Sequence, residues 1–212
     1  VEPVGTLSDR VETSPDHITA ILPVFANIME QMGLERATIL DPCFCDGQQV
    51  QNFAAYQYTV TLIHDPEMTL GGSFEVNKEN LHRFLALKFD IILTNPPWSV
   101  QELCCKVLLN LCQVSDQKNA PFFFLLANRC TRTKEFIKTM MGKRLVEWRM
   151  PNLRFMKKGQ SFRVMDENKC SFYGYNCPPL ENLQGGVEFV VRHPGLSLVG
   201  SKSRNIPSPL DF

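Results

Sequence analysis

The run Phe89-Asp90-Ile91-Ile92-Leu93-Thr94-Asn95-Pro96-Pro97-Trp98-Ser99 constrains the fold more than any other stretch. Ile91, Ile92 and Leu93 make the unbroken aliphatic run of a strand covered on both faces. Pro96 and Pro97 then end it, because proline has no N–H to offer a neighbouring strand. A strand buried on both sides belongs to an α/β sheet, and open α/β sheets take ligands over the carboxyl ends of their strands. Asn95, the Pro96 carbonyl and Trp98 therefore stand at one mouth as an amide, an acceptor and a flat aromatic face. That set suits a planar group bearing an amine.

The rest of the chain supplies the sheet and its helices. Residues 1–12 read as a polar arm. Ser14 reads as an N-cap and Pro15 as a first helical residue, with Ile18, Ile21, Leu22, Phe25, Ile28 and Met29 at helical spacing and Gly33 at the end. Pro23 inside that pattern predicts a kink or a split. Ala37–Leu40, Thr59–Ile63, Phe89–Thr94 and Pro121–Ala127 are expected strands. A helix is expected from Gln48, and residues 66–80 read as loop with one short strand near Phe74–Val76. Ser99 and Glu102 form a capping box ahead of a helix carrying Leu103, Val107, Leu108 and Leu111. A helix over 134–141 closes at Gly142. Leu145–Met150 and Lys169–Tyr175 predict an antiparallel pair around a loop at 151–168, and Val187–Val191 one more strand.

This alternation predicts a doubly wound, mostly parallel Rossmann-like sheet with helices on both faces and an antiparallel pair near its C-terminal end. Residues 1–177 are expected to form the catalytic domain. Residues 178–212 are expected to be a short extension, partly disordered in its Ser/Pro-rich end. Val1 rather than Met stands first, so a trimmed chain is expected.

No apolar segment approaches the roughly 20 residues of a membrane helix, so no membrane partner is expected. The eight cysteines show no paired zinc spacing; reduced thiols, no metal and a cytoplasmic or nucleoid-associated location are the expectation. The formal charge is zero overall, yet twelve basic residues against four acidic ones give residues 129–169 about +8. Arg154, Lys157, Lys158, Phe162 and Arg163 interleave cations and aromatics there, a composition that suits phosphate contacts. A solvated surface face with two anchoring aromatics, Phe155 and Phe162, is the plainer alternative.

A second loop concerns a cofactor. Asp41-Pro42-Cys43-Phe44-Cys45-Asp46-Gly47 follows a strand and precedes a helix, the setting in which backbone N–H groups face a ligand. Asp65, at the end of the next strand, could take two ribose hydroxyls.

With both loops in hand, the chain resembles the class I S-adenosylmethionine-dependent amino-methyltransferases, and most of all the DNA adenine-N6 methyltransferases. That family pairs a strand-ending Asp-Pro-x-x-Gly-x-Gly loop with an Asn-Pro-Pro-aromatic loop; here these are Asp41-Pro42…Gly47 and Asn95-Pro96-Pro97-Trp98. Thr13-Ser14-Pro15 echoes its opening cofactor-side motif. Cys45 stands where the family carries its first loop glycine. The resemblance implies S-adenosylmethionine as cofactor, held by Thr13, Ser14, Pro15, Asp41, Pro42, Cys43, Gly47 and Asp65. It implies Asn95, Pro96, Pro97 and Trp98 as catalytic residues and the N6 amine of adenine in DNA as acceptor. RNA adenine, cytosine N4 and a protein glutamine amide remain alternatives, DNA standing ahead of RNA. So does an inactive subunit that binds nucleic acid or a partner. Only about 30 residues separate Asp65 from Asn95, too few for an inserted recognition domain. Low sequence specificity is therefore expected, or specificity supplied by residues 151–168 or a protein partner.

Overall fold

The structure, a computed structural model, describes residues 11–13, 15–43, 53, 56, 59–62, 78–96, 101–148, 154–157, 163–164, 170–178, 189–192 and 194. Its strands are β1 (Val11–Thr13), β2 (Thr38–Asp41), β3 (Thr59–Leu62), β4 (Ile91–Thr94), β5 (Phe122–Ala127), β6 (Leu145–Trp148), β7 (Arg154–Lys157), β8 (Arg163–Val164), β9 (Cys170–Tyr175) and β10 (Phe189–Arg192). Its α-helices are α1 (Pro15–Met32), α2 (Lys78–Ala86), α3 (Gln101–Lys118) and α4 (Lys134–Thr139), with a 3-10 turn at Cys130–Arg132.

Seven strands form the main sheet in the order β10-β6-β9-β5-β4-β2-β3. β3, β2, β4 and β5 are mutually parallel. β9 runs antiparallel between β5 and β6, which leaves β6 parallel to the first four. β10 pairs antiparallel with β6 at the edge, so the 178–212 segment supplies the sheet's last strand. This is the doubly wound, mostly parallel Rossmann-like sheet that the alternation predicts. β2 has β3 on one side and β4 on the other, so the chain leaves it in one direction and returns in the other. The carboxyl ends of β2 and β4 thus flank the topological switch point, where open α/β sheets bind ligands.

Both faces are covered because β5 is apolar throughout. All six of its residues are buried, and a phenylalanine so buried contributes about 1.5–3 kcal/mol. Alternation sends Phe123 to one face and Phe122 and Phe124 to the other. The Phe123 ring meets Phe25 of α1 at 4.9 Å, and Phe25 stacks in turn on Phe53 at 6.0 Å. On the second face α3 packs against β5 and against both α2 and α4.

Helix ends follow local chemistry. Gly33, at φ +67°, closes α1: its N–H donates to the Glu30 carbonyl at 3.1 Å and that of Leu34 to Met29 at 2.9 Å. That pair of bonds is the Schellman motif. Asn119 closes α3 in the same way at φ 51°, with Ala120 N–H donating to Ser115 O at 3.0 Å. The Thr133 hydroxyl caps α4 by accepting from Phe136 N–H, and Gly142 turns the chain away at φ +76°.

Four departures from expectation are informative. α1 runs unbroken through Pro23; Thr19 and Pro23 both lie on its exposed side, so water can take the carbonyl that Pro23 leaves without a donor. α2 occupies residues that the sequence did not mark as helical, and its Phe84 is fully buried. The arm is strand at its end, where Val11–Thr13 pairs antiparallel with β7. The stretch 151–168 is likewise not all loop, for β7 and β8 pair within it and complete a three-stranded sheet, β1-β7-β8. The predicted helix from Gln48 and the strand near Phe74–Val76 lie largely or wholly outside the described residues.

Candidate active site

β2 and β4 are neighbours with Ile39 opposite Ile91 and Leu40 opposite Ile92. Their lower ends are pinned by Asp90, whose Oδ2 accepts from Thr38 N–H at 2.7 Å while its own N–H donates to Thr38 O at 2.8 Å. That register brings Asp41-Pro42-Cys43 and Asn95-Pro96 to the same end of adjacent strands. Two loops about 50 residues apart in sequence therefore meet at the switch point.

Asp41 is the most heavily perturbed group there. It is fully buried, and burial pushes its carboxyl up to about 7, against the lowering effect of the Cys43 N–H. That N–H donates to Asp41 Oδ1 at 3.1 Å, whereas Oδ2 is buried with no hydrogen-bond partner. A buried carboxylate oxygen without a donor is costly, and it fits a ligand that brings a cation or an N–H. Pro42 and Cys43 are buried beside it. Thr94 Oγ1 is a second buried polar atom without a partner, one residue before Asn95. Pro96 is buried, Asn95 is half-buried and its Oδ1 is shielded from solvent.

Pro97, Trp98, Ser14, Gly47, Asp65, Lys158 and Phe162 lie outside the described residues. Thr13 ends β1 opposite Phe155, and Pro15 begins α1. Arg154 pairs with Val164, Lys157 with Val11, and Arg163 with Phe155. Thr13, Phe155 and Arg163 thus stand at one level across three strands, joining an expected cofactor residue to the expected nucleic-acid segment.

Other basic residues divide by position. Arg129, Arg132, Lys134 and Lys138 are exposed on the turn and helix that follow the carboxyl end of β5. Lys143 instead lies with β9's last residue: its Nζ donates to the Tyr175 hydroxyl at 3.3 Å and sits 4.7 Å from that ring's centroid. Tyr175 in turn donates to Asp116 Oδ1 at 2.7 Å.

Sequence reasoning did not single out a polar cluster at the carboxyl edge of β5 and β6. Ser171 Oγ lies 3.1 Å from Asn128 Oδ1 and 3.0 Å from Glu147 Oε1, and the Tyr173 hydroxyl donates to Asn128 Oδ1 at 3.3 Å. The signal available was slight, a glutamate and a serine interrupting otherwise apolar strands. Gln101, three residues after Trp98, donates from Nε2 to the Cys130 carbonyl at 3.4 Å. The exit of the Asn-Pro-Pro-Trp loop is thereby tied to the turn that follows Asn128.

No family model and no curated protein matches the chain. Among the solved structures that resemble it is the crystal structure, at 2.20 Å resolution, of a candidate class I S-adenosylmethionine-dependent methyltransferase from Listeria monocytogenes, with 13% sequence identity and a TM-score of 0.46. The likeness covers 80% of this chain and 62% of that protein, so the chain spans less than two thirds of its length. It is a likeness of fold and assigns no role to any residue here. The seven described cysteines are free thiols, and among the described residues no helix is long and apolar enough to cross a membrane.

Proposed function

We propose that the chain transfers a methyl group from S-adenosylmethionine to the exocyclic N6 amine of adenine in DNA. The observation that carries this reading is the meeting of Asp41-Pro42-Cys43 with Asn95-Pro96 at the carboxyl ends of neighbouring parallel strands. A cationic donor and a planar acceptor must lie side by side for direct transfer, and the switch point offers one crevice for both.

Asp41, Pro42, Cys43, Gly47 and Asp65, with Thr13, Ser14 and Pro15, would hold S-adenosylmethionine. The partnerless Asp41 Oδ2 supports that fit, because a cation or an N–H there would satisfy the buried oxygen. When bound, the cofactor supplies an electrophilic methyl group on a sulfonium. An exocyclic amine is a poor nucleophile because its lone pair is delocalised into the ring. Asn95 Oδ1 and the Pro96 carbonyl would accept the two amine hydrogens and draw the nitrogen towards tetrahedral geometry, which frees the lone pair. Pro97, whose ring restricts φ, would limit the backbone next to them. Trp98 would stack on the ring, a contact worth about 1–3 kcal/mol per base. Catalysis of this kind needs positioning and electrostatics, and no covalent nucleophile.

Nucleic acid is favoured over a protein amide by Arg129, Arg132 and Lys134, exposed beside the end of β5, together with Arg154, Lys157, Lys158, Phe162 and Arg163. In duplex DNA the adenine would be flipped from the stack. A protein partner would supply site specificity.

The test gives radiolabelled S-adenosylmethionine with DNA, RNA and protein substrates. DNA should be labelled, and Asn95→Ala should lower kcat about 10²–10³-fold while the chain stays folded. Label on RNA alone would move the acceptor to RNA adenine. No transfer to any substrate, with no cofactor binding by calorimetry, would end the enzyme reading.

A further inference from the structure

The chemistry proposed above uses single residues of β7 and β8 but not the sheet they form with β1. The path of the chain places that sheet. α1 feeds into the amino end of β2, so its first residue, Pro15, stands at the carboxyl end of the main sheet. β6 is parallel to β4 and β5 and ends at that same level in Trp148, while antiparallel β9 starts there at Cys170. Val11–Thr13, Arg154–Lys157 and Arg163–Val164 are thus all tethered to the end of the main sheet where Asp41 and Asn95 meet.

Residues directly opposite in an antiparallel pair share a face, and so do residues two apart on one strand. Val11 is opposite Lys157, Thr13 opposite Phe155, and Phe155 opposite Arg163. One face of the small sheet therefore carries Phe155, Lys157 and Arg163 with Val11 and Thr13. The other carries Glu12, Arg154, Met156 and Val164. Glu12, the one acid of these strands, falls with Arg154 on that second face, which is neutral. The first face holds two cations and no acid. Covering such a face with apolar side chains would be costly, and a polyanion suits it. Phe155 lies between the cations, about 7 Å from Lys157 along the strand and about 5 Å from Arg163 across it by backbone spacing. Cation, ring and cation at that spacing match an unpaired nucleotide chain, whose phosphates take the charges and whose bases have a face free to stack. A duplex keeps the faces of its bases inside its own stack.

Resting on the reading of DNA as the acceptor, we infer that the face of β1-β7-β8 carrying Phe155, Lys157 and Arg163 is a docking platform for single-stranded DNA. Phe155 stacks on a base beside the target adenine, and Lys157 and Arg163 contact the phosphates on either side. Thr13 stands opposite Phe155, and α1 begins two residues later. The backbone of the cofactor-side segment is thus paired with the strand that holds the nucleic acid, which sets the platform beside the mouth. The acceptor selected in this way is unpaired DNA, for which the base flipping that a duplex demands is not needed.

The test measures, by fluorescence anisotropy at equal salt, the binding of one labelled sequence as a single strand and as a duplex, and follows methylation of both. Wild type should bind the single strand more tightly. Phe155→Ala should weaken that binding about 5- to 150-fold, the range for loss of one stacked base, and Phe155→Tyr should retain it. Arg163→Ala should weaken it more than Arg154→Ala does, because Arg163 shares the face of Phe155 and Arg154 does not. Photocrosslinking of wild type to a single strand carrying 5-iodouracil needs no variant and carries the test if Phe155→Ala fails to fold. A crosslink at Phe155 supports the platform, and one at Met156, on the opposite face, overturns it. Tighter binding of the duplex, or equal binding by wild type and Phe155→Ala, with adenine still methylated, would overturn the inference and leave the parent reading standing. A single strand held through Phe155 by a chain that methylates no adenine would keep the platform and remove the parent reading.

Discussion

The Cys43 N–H donates to Asp41 Oδ1 at 3.1 Å, while the carboxylate's other oxygen is buried with no partner. One donor does not offset full desolvation, so the group titrates near 7 in the fold and near 3.8 when unfolded. Between those values the folded chain holds a proton that the unfolded chain has released. The associated stability is fully present below pH 3.8 and is lost as pH rises through about 7. Asp41→Asn should therefore gain on wild type as pH rises from 5 to 8, by up to about 3 kcal/mol. Urea unfolding at several pH values measures it; parallel curves for the two proteins would dismiss the buried-acid account.

Gly174 lies under the Trp148 indole. A Cβ placed on it would meet Trp148 Cη2 at 2.5 Å, Cζ3 at 2.7 Å and the Cys177 sulfur at 2.7 Å. The indole is fully buried between Phe123 and the strand, so it cannot step aside. Gly174→Ala should cost about 1–3 kcal/mol. In a Trp148→Phe background the same change should cost less, because the two indole atoms it strikes are gone and only the Cys177 sulfur remains; additive costs in the double variant would argue against the clash.

Tyr175 ties the opposite end of the sheet to α3. Tyr175→Phe removes the 2.7 Å bond to Asp116 and should lower the unfolding free energy by about 1 kcal/mol with an unchanged denaturant slope. Methyl transfer, proposed at the other edge, should be unaffected. Loss of activity without loss of stability would show that this end communicates with the site.

Lys157 belongs to β7, at the register position of Val11, and Lys158 follows it. Replacing both with alanine should weaken DNA binding about equally for all sequences and lower the salt slope by about 2. Titrations between about 50 and 200 mM salt, a range in which phosphate contacts register strongly, would read the change. An unaltered slope would return this strand to an ordinary solvated surface.

Much of the architecture was legible because burial leaves a periodic trace. Ile91–Leu93 and Phe122–Leu126 are apolar at every position, as strands covered on both faces must be, and each appears where its run predicts. Gly33 and Gly142 marked helix ends because positive φ suits residues without a Cβ. α2 was missed because its nine residues hold few apolar positions, and its existence depends on packing against α3. The pairing of Val11–Thr13 with β7 was likewise invisible: strands of three and four residues carry almost no local signal, and their pairing spans more than 140 residues.

The chain's order of residues alone determined that a buried strand must stop at Pro96, and that an amide and a carbonyl then face the sheet's open end. It also determined, through the turn residues after Leu40, that a second loop of the same kind exists. Which loops become neighbours is a property of strand order, and strand order is set by long-range packing that no local pattern encodes. Only the tertiary structure set β2 beside β4, left Asp41 Oδ2 buried without a donor, and brought Ser171 and Tyr173 of β9 against Asn128, with Glu147 of β6 against Ser171.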